Sequence, residues 1–137
     1  PFLEIVDRIN LLQDKWCGLA KFLVVYIQEA HARNEWPVGA DISRYDAPTS
    51  IAERRYLAGR LVHDHGLRVP VVVDDMDNTF SSTYAAWPLR FFGLLPGTKA
   101  ARGDSPGTLA FIGQPDSTTH LYDIVEAERW LTSLDLE

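Results

Sequence analysis

Two short apolar blocks without polar alternation constrain this chain more than any other feature. Residues 21–28 and 69–74 are rich in β-branched and aromatic side chains, and strands that are covered on both faces have this pattern. A predicted helix lies between them, so we expect the two strands to run parallel, joined by a crossover. The sequence therefore predicts an α/β fold with the first block in the middle of the sheet.

Amphipathic spacing and capping residues predict the helices. Apolar residues recur at three- and four-residue steps over 3–17, and Gly18 follows as a C-cap. Ser50 and Glu53 have the spacing of a capping box and begin a helix that ends before Gly66. The remaining predicted elements are a short helix over 81–86, strands over 89–95 and 108–112, and a helix over 121–134. This order fits a single domain, residues 1–137, with an α/β sandwich architecture.

Composition and charge exclude several classes of protein. The 137 residues carry a formal charge of −6 with scattered arginines, so we expect no nucleic-acid partner. The longest apolar run, residues 22–27, is far shorter than the roughly 20 residues of a membrane helix, although an upstream anchor before Pro1 stays open. Cys17 is the single cysteine, which excludes an internal disulfide, a Cys-x-x-Cys pair and a thiolate metal cluster. We expect no bound metal.

Three segments carry a resemblance to a known family. They are residues 22–31, which end in Glu-Ala-His and are followed by Trp36, then residues 70–74, and then residues 84–90. Together they resemble the iodothyronine deiodinases. The likeness runs from Pro1 to about Phe92, is weakest over 93–119 and returns at the last helix. It implies a thioredoxin-like sandwich, with a mixed central sheet, flanking helices and the first strand or strands missing upstream of Pro1.

The resemblance also implies where the nucleophile lies. In this family a selenocysteine or cysteine precedes the Pro-Phe that begins the first helix, and Pro1-Phe2 is similar to that pair. A helix N-terminus stabilises a thiolate or selenolate, so the position suits the chemistry. Cys17 lies near the other end of this helix, on the order of 20 Å away, and cannot substitute. The chain is thus expected to be an N-terminally truncated catalytic domain, inactive on its own.

The resemblance further implies roles for four residues. Glu29 and His31 would be catalytic, since a histidine can transfer a proton near neutral pH and a carboxylate can fix its tautomer or bind an amine. Trp36 and Pro88 would bind the substrate, an iodothyronine or related halogenated phenol, with Pro88 as a cis-proline. No cofactor is implied beyond an external thiol reductant, and a homodimer is possible. In the alternative without functional roles, Glu29 is a solvated carboxylate, His31 caps the strand, and the Trp36 side chain holds the long loop in place.

Other functions compete with this interpretation. The segment 71–79 is similar to the first motif of magnesium-dependent phosphatases, in which Asp75 and Asp77 would be nucleophile and acid/base. Few residues follow it, and no downstream acidic pair is evident. A peroxiredoxin-like or glutathione-peroxidase-like thiol peroxidase shares the expected fold. A redox-inactive thioredoxin-like binding domain is the third alternative.

Overall fold

A computed structural model describes residues 2–99, 103, 105–116 and 122–134. Pro1, and Leu121 at the predicted start of the last helix, lie outside the described residues. The chain divides into two compact units, Pro1–Pro88 and Leu89–Glu137. The first contains a 3₁₀ turn (Phe2–Ile5), α1 (Val6–Trp16), β1 (Val24–Tyr26), α2 (Ile51–His65), β2 (Val71–Val73) and α3 (Thr79–Tyr84). The second contains β3 (Phe92–Leu95), β4 (Thr108–Ile112) and α4 (Ile124–Leu134).

The first predicted helix is confirmed, with its opening turn wound as a 3₁₀ helix. α1 buries one face, whose apolar members are Val6, Ile9, Leu12 and Trp16. Burying such a side chain stabilises the fold by roughly 1.5–3 kcal/mol. Cys17 lies just beyond the helix and is exposed as a free thiol.

A buried asparagine attaches α1 to the turn after α2. The Asn10 Nδ2 donates to the carbonyl of Gly66 at 2.9 Å, and its Oδ1 accepts from the backbone N–H of Arg68 at 2.9 Å. Because both polar ends of the amide are paired, its burial costs little. On the surface, Arg68 also forms an ion pair with Asp14 of α1 at 2.6 Å. These contacts fix the register of α1 against the segment that leads into β2.

The bounds of α2 agree with the prediction from its caps. The Ser50 side chain accepts from the backbone N–H of Glu53 at 3.2 Å, and the Glu53 carboxylate accepts from the backbone N–H of Thr49 at 2.7 Å. The bonds that the Glu53 carboxylate accepts from the backbone N–H and from the hydroxyl of Thr49 lower the pKa of Glu53. Gly66 ends the helix in the left-handed conformation, with φ +66°, and donates to the carbonyl of Val62.

β1 and β2 pair in parallel, as predicted, with Val24 opposite Val71 and Tyr26 opposite Val73. The expectation that both strands are buried on both faces is wrong, because Leu23 is 59% exposed and Val72 46% exposed. Both strands are also shorter than predicted. An apolar run indicates that its side chains favour burial. How far they are buried depends on which elements pack against the strand.

The second unit is an antiparallel hairpin and a helix. β3 pairs with β4 with a bulge between Gly93 and Leu94, and the ring of Trp130 from α4 stacks on Phe111 with centroids 5.5 Å apart. A Cβ at position 93 would collide with this indole, so a larger residue there would force the Trp130 side chain to move. The predicted hairpin and helix are confirmed, whereas the mixed central sheet and the sandwich stay predictions. No helix in the described part of the chain is long and apolar enough to span a bilayer.

Candidate active site

The sequence-predicted catalytic residues follow the carboxyl end of β1. Ligands in α/β folds bind at this end of parallel strands. Glu29 comes three residues after Tyr26, the last residue of β1, and is half-buried. Burial raises the pKa of the Glu29 carboxyl, and the positive charge of Arg54 partly opposes this rise. The structure therefore gives Glu29 a desolvated environment, which does not fit the alternative of a freely solvated carboxylate.

His31 and Trp36 are in contact. The two ring centroids lie 5.2 Å apart at an interplanar angle of 61°, an edge-to-face arrangement. His31 Nδ1 lies 3.4 Å from the carbonyl oxygen of Trp36. Because a carbonyl can only accept, a hydrogen bond in this contact has Nδ1 as its donor and does not use Nε2. The indole is 60% exposed, which leaves much of its surface for a ligand.

The loop that begins just after His31 and contains Trp36 is closed at its base. Arg33 donates from its backbone N–H to the carbonyl of Tyr45 at 2.8 Å, and its guanidinium binds both carboxylate oxygens of Asp46 at 2.8 and 2.7 Å. This pairing lowers the pKa of Asp46. Asn34 Oδ1 accepts from the backbone N–H of Ala47 at 2.8 Å. The segment between these contacts is a compact surface loop.

A buried carboxylate organises the turn after β2. Asp74 is only 4% exposed. One of its oxygens accepts from the backbone N–H groups of Asp75 and Phe80, and the other accepts from that of Ser81, each at 2.9 Å. Charge-assisted bonds of this kind are stronger than neutral ones. Asp74 therefore fixes both the turn and the start of α3.

Arg54 is a residue that the sequence analysis did not identify. Its Nη1 donates to the carbonyls of Asp74, at 3.3 Å, and Asp75, and its Nη2 donates to Asn78 Oδ1 at 3.0 Å. A signal was present in the sequence, because Arg54 occupies the same helix face as the buried residues Leu57, Ala58 and Leu61. An arginine in such a stripe indicates a buried charge with specific partners.

The remaining predicted residues are Pro88 and the aspartates of the turn after β2. The Trp87–Pro88 peptide bond is cis, as expected, and Pro88 is exposed, while its contact with substrate stays a prediction. The hydroxyl and then the backbone N–H of Thr79 lower the pKa of Asp75, whose Oδ1 accepts from that N–H at 2.8 Å. Within residues 2–99, 103, 105–116 and 122–134, no group of three or more His, Cys, Asp or Glu is placed to hold a metal.

An open groove of about 670 Å³ lies between α2 and β2. Its lining includes Ala58, Val62 and the whole of β2, together with Arg55 and Arg68. None of the four predicted site residues lines it. We therefore place the candidate site at the carboxyl ends of the strands, where Glu29 and His31 lie, and not in this groove.

Comparison with known proteins supports the resemblance. The model of the family described as iodothyronine deiodinase matches residues 1–115. This match runs through the hairpin, the part where the likeness was expected to be weakest. The chain is 35% identical over 103 residues to a type I iodothyronine deiodinase of Xenopus laevis, with 75% of this chain and 40% of that protein covered.

Two further relatives are also named deiodinases. The chain is 28% identical to a thyroxine 5-deiodinase of Bos taurus over 98% of this chain and 40% of that protein. It is 37% identical to a type II iodothyronine deiodinase of Petromyzon marinus over 61% of this chain and 30% of that protein. The chain thus spans well under half the length of these curated relatives.

Proposed function

The chain belongs to the iodothyronine deiodinase family, and from this membership we propose that it is part of an enzyme that reductively deiodinates iodothyronines or related halogenated phenols. One observation carries the proposal beyond the family name. Glu29, with its desolvated carboxyl, and His31, with one ring nitrogen left for proton transfer, follow the carboxyl end of the same parallel strand. Reductive removal of iodine needs a proton donor at such a position.

The proposed nucleophile is a selenocysteine or cysteine that precedes Pro1 in the full protein. Its selenolate or thiolate attacks the iodine, the carbon–iodine bond breaks, and the electron pair of that bond stays on the aromatic carbon. That carbon takes a proton and becomes carbon–hydrogen. The chalcogen–iodine bond is then reduced by two equivalents of an external thiol, which yields a disulfide, iodide and the regenerated nucleophile. No bound cofactor is required.

His31 is the proposed acid in this sequence. In the imidazolium form Nδ1–H can donate to the carbonyl of Trp36, and Nε2–H is the proton that would be delivered, which leaves the neutral imidazole. The exposed indole of Trp36 offers an aromatic surface for an iodinated ring. We assign Glu29 to the proton network or to an amine of the substrate, and Pro88 to the wall of the binding site. Both assignments follow the family resemblance.

Iodide release by the extended protein tests the proposal. The protein, with the residues before Pro1 restored, is incubated with radioiodine-labelled iodothyronine and dithiothreitol. We expect labelled iodide from this protein and none from the matched variant in which the upstream selenocysteine or cysteine is replaced by alanine. The 137-residue chain alone should also release none. Equal release by the alanine variant, or by the short chain, would contradict the assignment of the nucleophile.

The remaining alternatives and the homodimer are examined with the same preparation. A thiol peroxidase would consume hydrogen peroxide with dithiothreitol and release no iodide. A binding domain would do neither. Sedimentation at several concentrations reports whether a homodimer forms. Peroxide turnover without iodide release would replace the deiodinase by the peroxidase function.

A further inference from the structure

The groove between α2 and β2 lies along one side of the small parallel sheet. Seven consecutive residues, 67–73, line it. Successive side chains of a strand point to opposite faces of the sheet, so a cavity that touches every residue of β2 follows the side of the strand and not one face. None of the described residues of β1 contributes to the lining. The groove therefore follows the outer edge of β2, the side that faces away from β1.

The backbone of β2 is paired on one side only. The N–H of Asp74 donates to the carbonyl of Tyr26 at 2.9 Å, so the residue that follows β2 faces β1. Backbone groups alternate between the two sides of a strand, and the N–H and C=O groups of Val71 and Val73 therefore face the groove. Among the described residues, β1 is the only strand that pairs with β2. The outer edge of β2 can thus pair with an added strand.

A regular stripe of α2 forms the opposite wall of the groove. Residues 55, 58, 59 and 62 line it, and this three- and four-residue spacing is one face of a helix. A Cβ built on Gly59 meets no atom within 4 Å, so the middle of this wall is open. Val62 on the helix is 38% exposed and Val72 on the strand is 46% exposed. The apolar walls therefore leave room for the apolar side chains of an added strand.

Two arginines line opposite ends of the groove. Arg68 precedes β2, and Arg55 lies near the start of α2. The neighbouring Arg54 donates to the carbonyls of the two residues after β2, which places the start of α2 beside the end of β2. Arg68 shares its charge with Asp14 at 2.6 Å. No acidic residue is among the described residues that line the groove, although the chain as a whole carries a formal charge of −6. The charge of the groove therefore favours an acidic ligand.

We propose that the outer edge of β2 is a docking site for an extended segment of a partner protein, in which apolar residues lie between two acidic ones. The segment adds to the sheet as a strand. Its backbone pairs with the N–H and C=O groups of Val71 and Val73, its apolar side chains fill the groove, and its acidic side chains lie beside Arg55 and Arg68. Main-chain bonds supply affinity in this mode of recognition, and the side-chain contacts supply specificity. The docking site is separate from the candidate active site and does not depend on the proposed function.

Binding of a designed peptide to the extended protein, with the residues before Pro1 restored, tests the site. The probe is a fluorescein-labelled, amidated peptide of sequence Glu-Val-Thr-Val-Thr-Val-Glu. We expect saturable binding, and slower hydrogen exchange of the Val71 and Val73 N–H groups in the complex. One control peptide has lysine in place of both glutamates, and another is N-methylated at all internal residues so that it cannot pair as a strand. Each control should bind about tenfold more weakly than the probe.

Substitutions in the protein locate the binding. Val73→Pro removes an N–H that faces the groove and keeps the bonds to β1, as prolines of edge strands do, and we expect it to abolish binding of the probe. Arg55→Glu should weaken binding of the probe about fivefold and strengthen binding of the lysine peptide. Arg8→Glu is the matched control, because Arg8 is an exposed arginine of α1 outside the groove. It changes the net charge equally and should leave both affinities close to those of the wild type.

Several results would overturn the proposal. Binding that survives Val73→Pro, or that N-methylation does not weaken, would show that the peptide does not add to β2. Equal weakening by Arg55→Glu and Arg8→Glu would remove the role of the groove's charge. Slow exchange of the Val71 and Val73 N–H groups without peptide would mean that the protein's own chain or a second copy already covers the edge, and sedimentation would distinguish these two. If Val73→Pro does not fold, the control peptides and Arg55→Glu decide the matter. Iodide release is measured separately, so failure of the proposed function leaves this test unaffected.

Discussion

The two segments that follow the parallel strands differ in how they are held. The turn after β2 is short and is fixed from within by the buried side chains of Asp74 and Arg54. The segment after β1 is long and is closed by surface contacts such as the Arg33–Asp46 pair. The proposed chemistry lies on the segment after β1, and the turn after β2 supports it. Loops that carry function commonly depend on a rigid neighbour in this way.

The largest effect should come from the loop after β1. In the extended protein, His31→Ala is expected to lower the rate of iodide release about 10²–10⁴-fold, the usual contribution of a positioned general acid. The free energy of unfolding should change by no more than about 1 kcal/mol, because His31 is half-buried and no large apolar volume is lost. His63→Ala is the control, since His63 is an exposed residue near the end of α2.

Kinetics and thermal melting of both variants decide the matter. A His31→Ala variant with near-wild-type turnover, or with a collapsed melting transition, would show that the histidine is structural. The loop after β1 would then not carry the proposed general acid, and the contrast with the supporting turn after β2 would be lost.

The supporting turn should show the next largest effect. Asp74→Ala removes the acceptor of three backbone N–H groups, and we expect a loss of about 2–4 kcal/mol in the free energy of unfolding. Urea denaturation of the 137-residue chain measures it. A loss below 1 kcal/mol would mean that water replaces the carboxylate and that the turn is not fixed from within.

The surface closure of the loop after β1 should contribute less. Arg33→Met is expected to lower the free energy of unfolding by much less than Asp74→Ala, because both members of the Arg33–Asp46 pair are solvent-exposed. When the same denaturation experiment is repeated at high salt, the difference in free energy of unfolding between variant and wild type should be smaller. A cost as large as that of Asp74→Ala would erase the contrast between the two segments.

The smallest effect is expected for Asp75→Asn, which also examines the phosphatase alternative. The amide oxygen can still accept from the backbone N–H of Thr79, so the free energy of unfolding should stay close to that of the wild type. Compared with the extended wild-type protein, the variant should lose no magnesium-dependent phosphate release. Phosphatase activity that is present in the extended wild-type protein and absent from this variant would overturn the deiodinase proposal.

Local signals predicted more of this structure than long-range ones. The ends of α2 follow from Ser50 and Gly66, because caps act within a few residues of the backbone groups they satisfy. The position of Glu29 and His31 after β1 was also predicted. The partners of Arg54 and Asp74 were not, since they depend on how α2 and β2 pack together. The burial of β1 and β2 was overestimated for the same reason.

The closed base of the segment after β1 bears on how this protein family can diversify. Arg33 and Tyr45 are joined through their backbones, and Asn34 and Ala47 are joined beside them. We expect residues inserted between these anchors to leave the path of the chain on either side unchanged, since lengthening a closed loop costs little entropy. The segment can therefore be exchanged as a unit. Variation there would alter the surface beside His31 while leaving the strand ends in register.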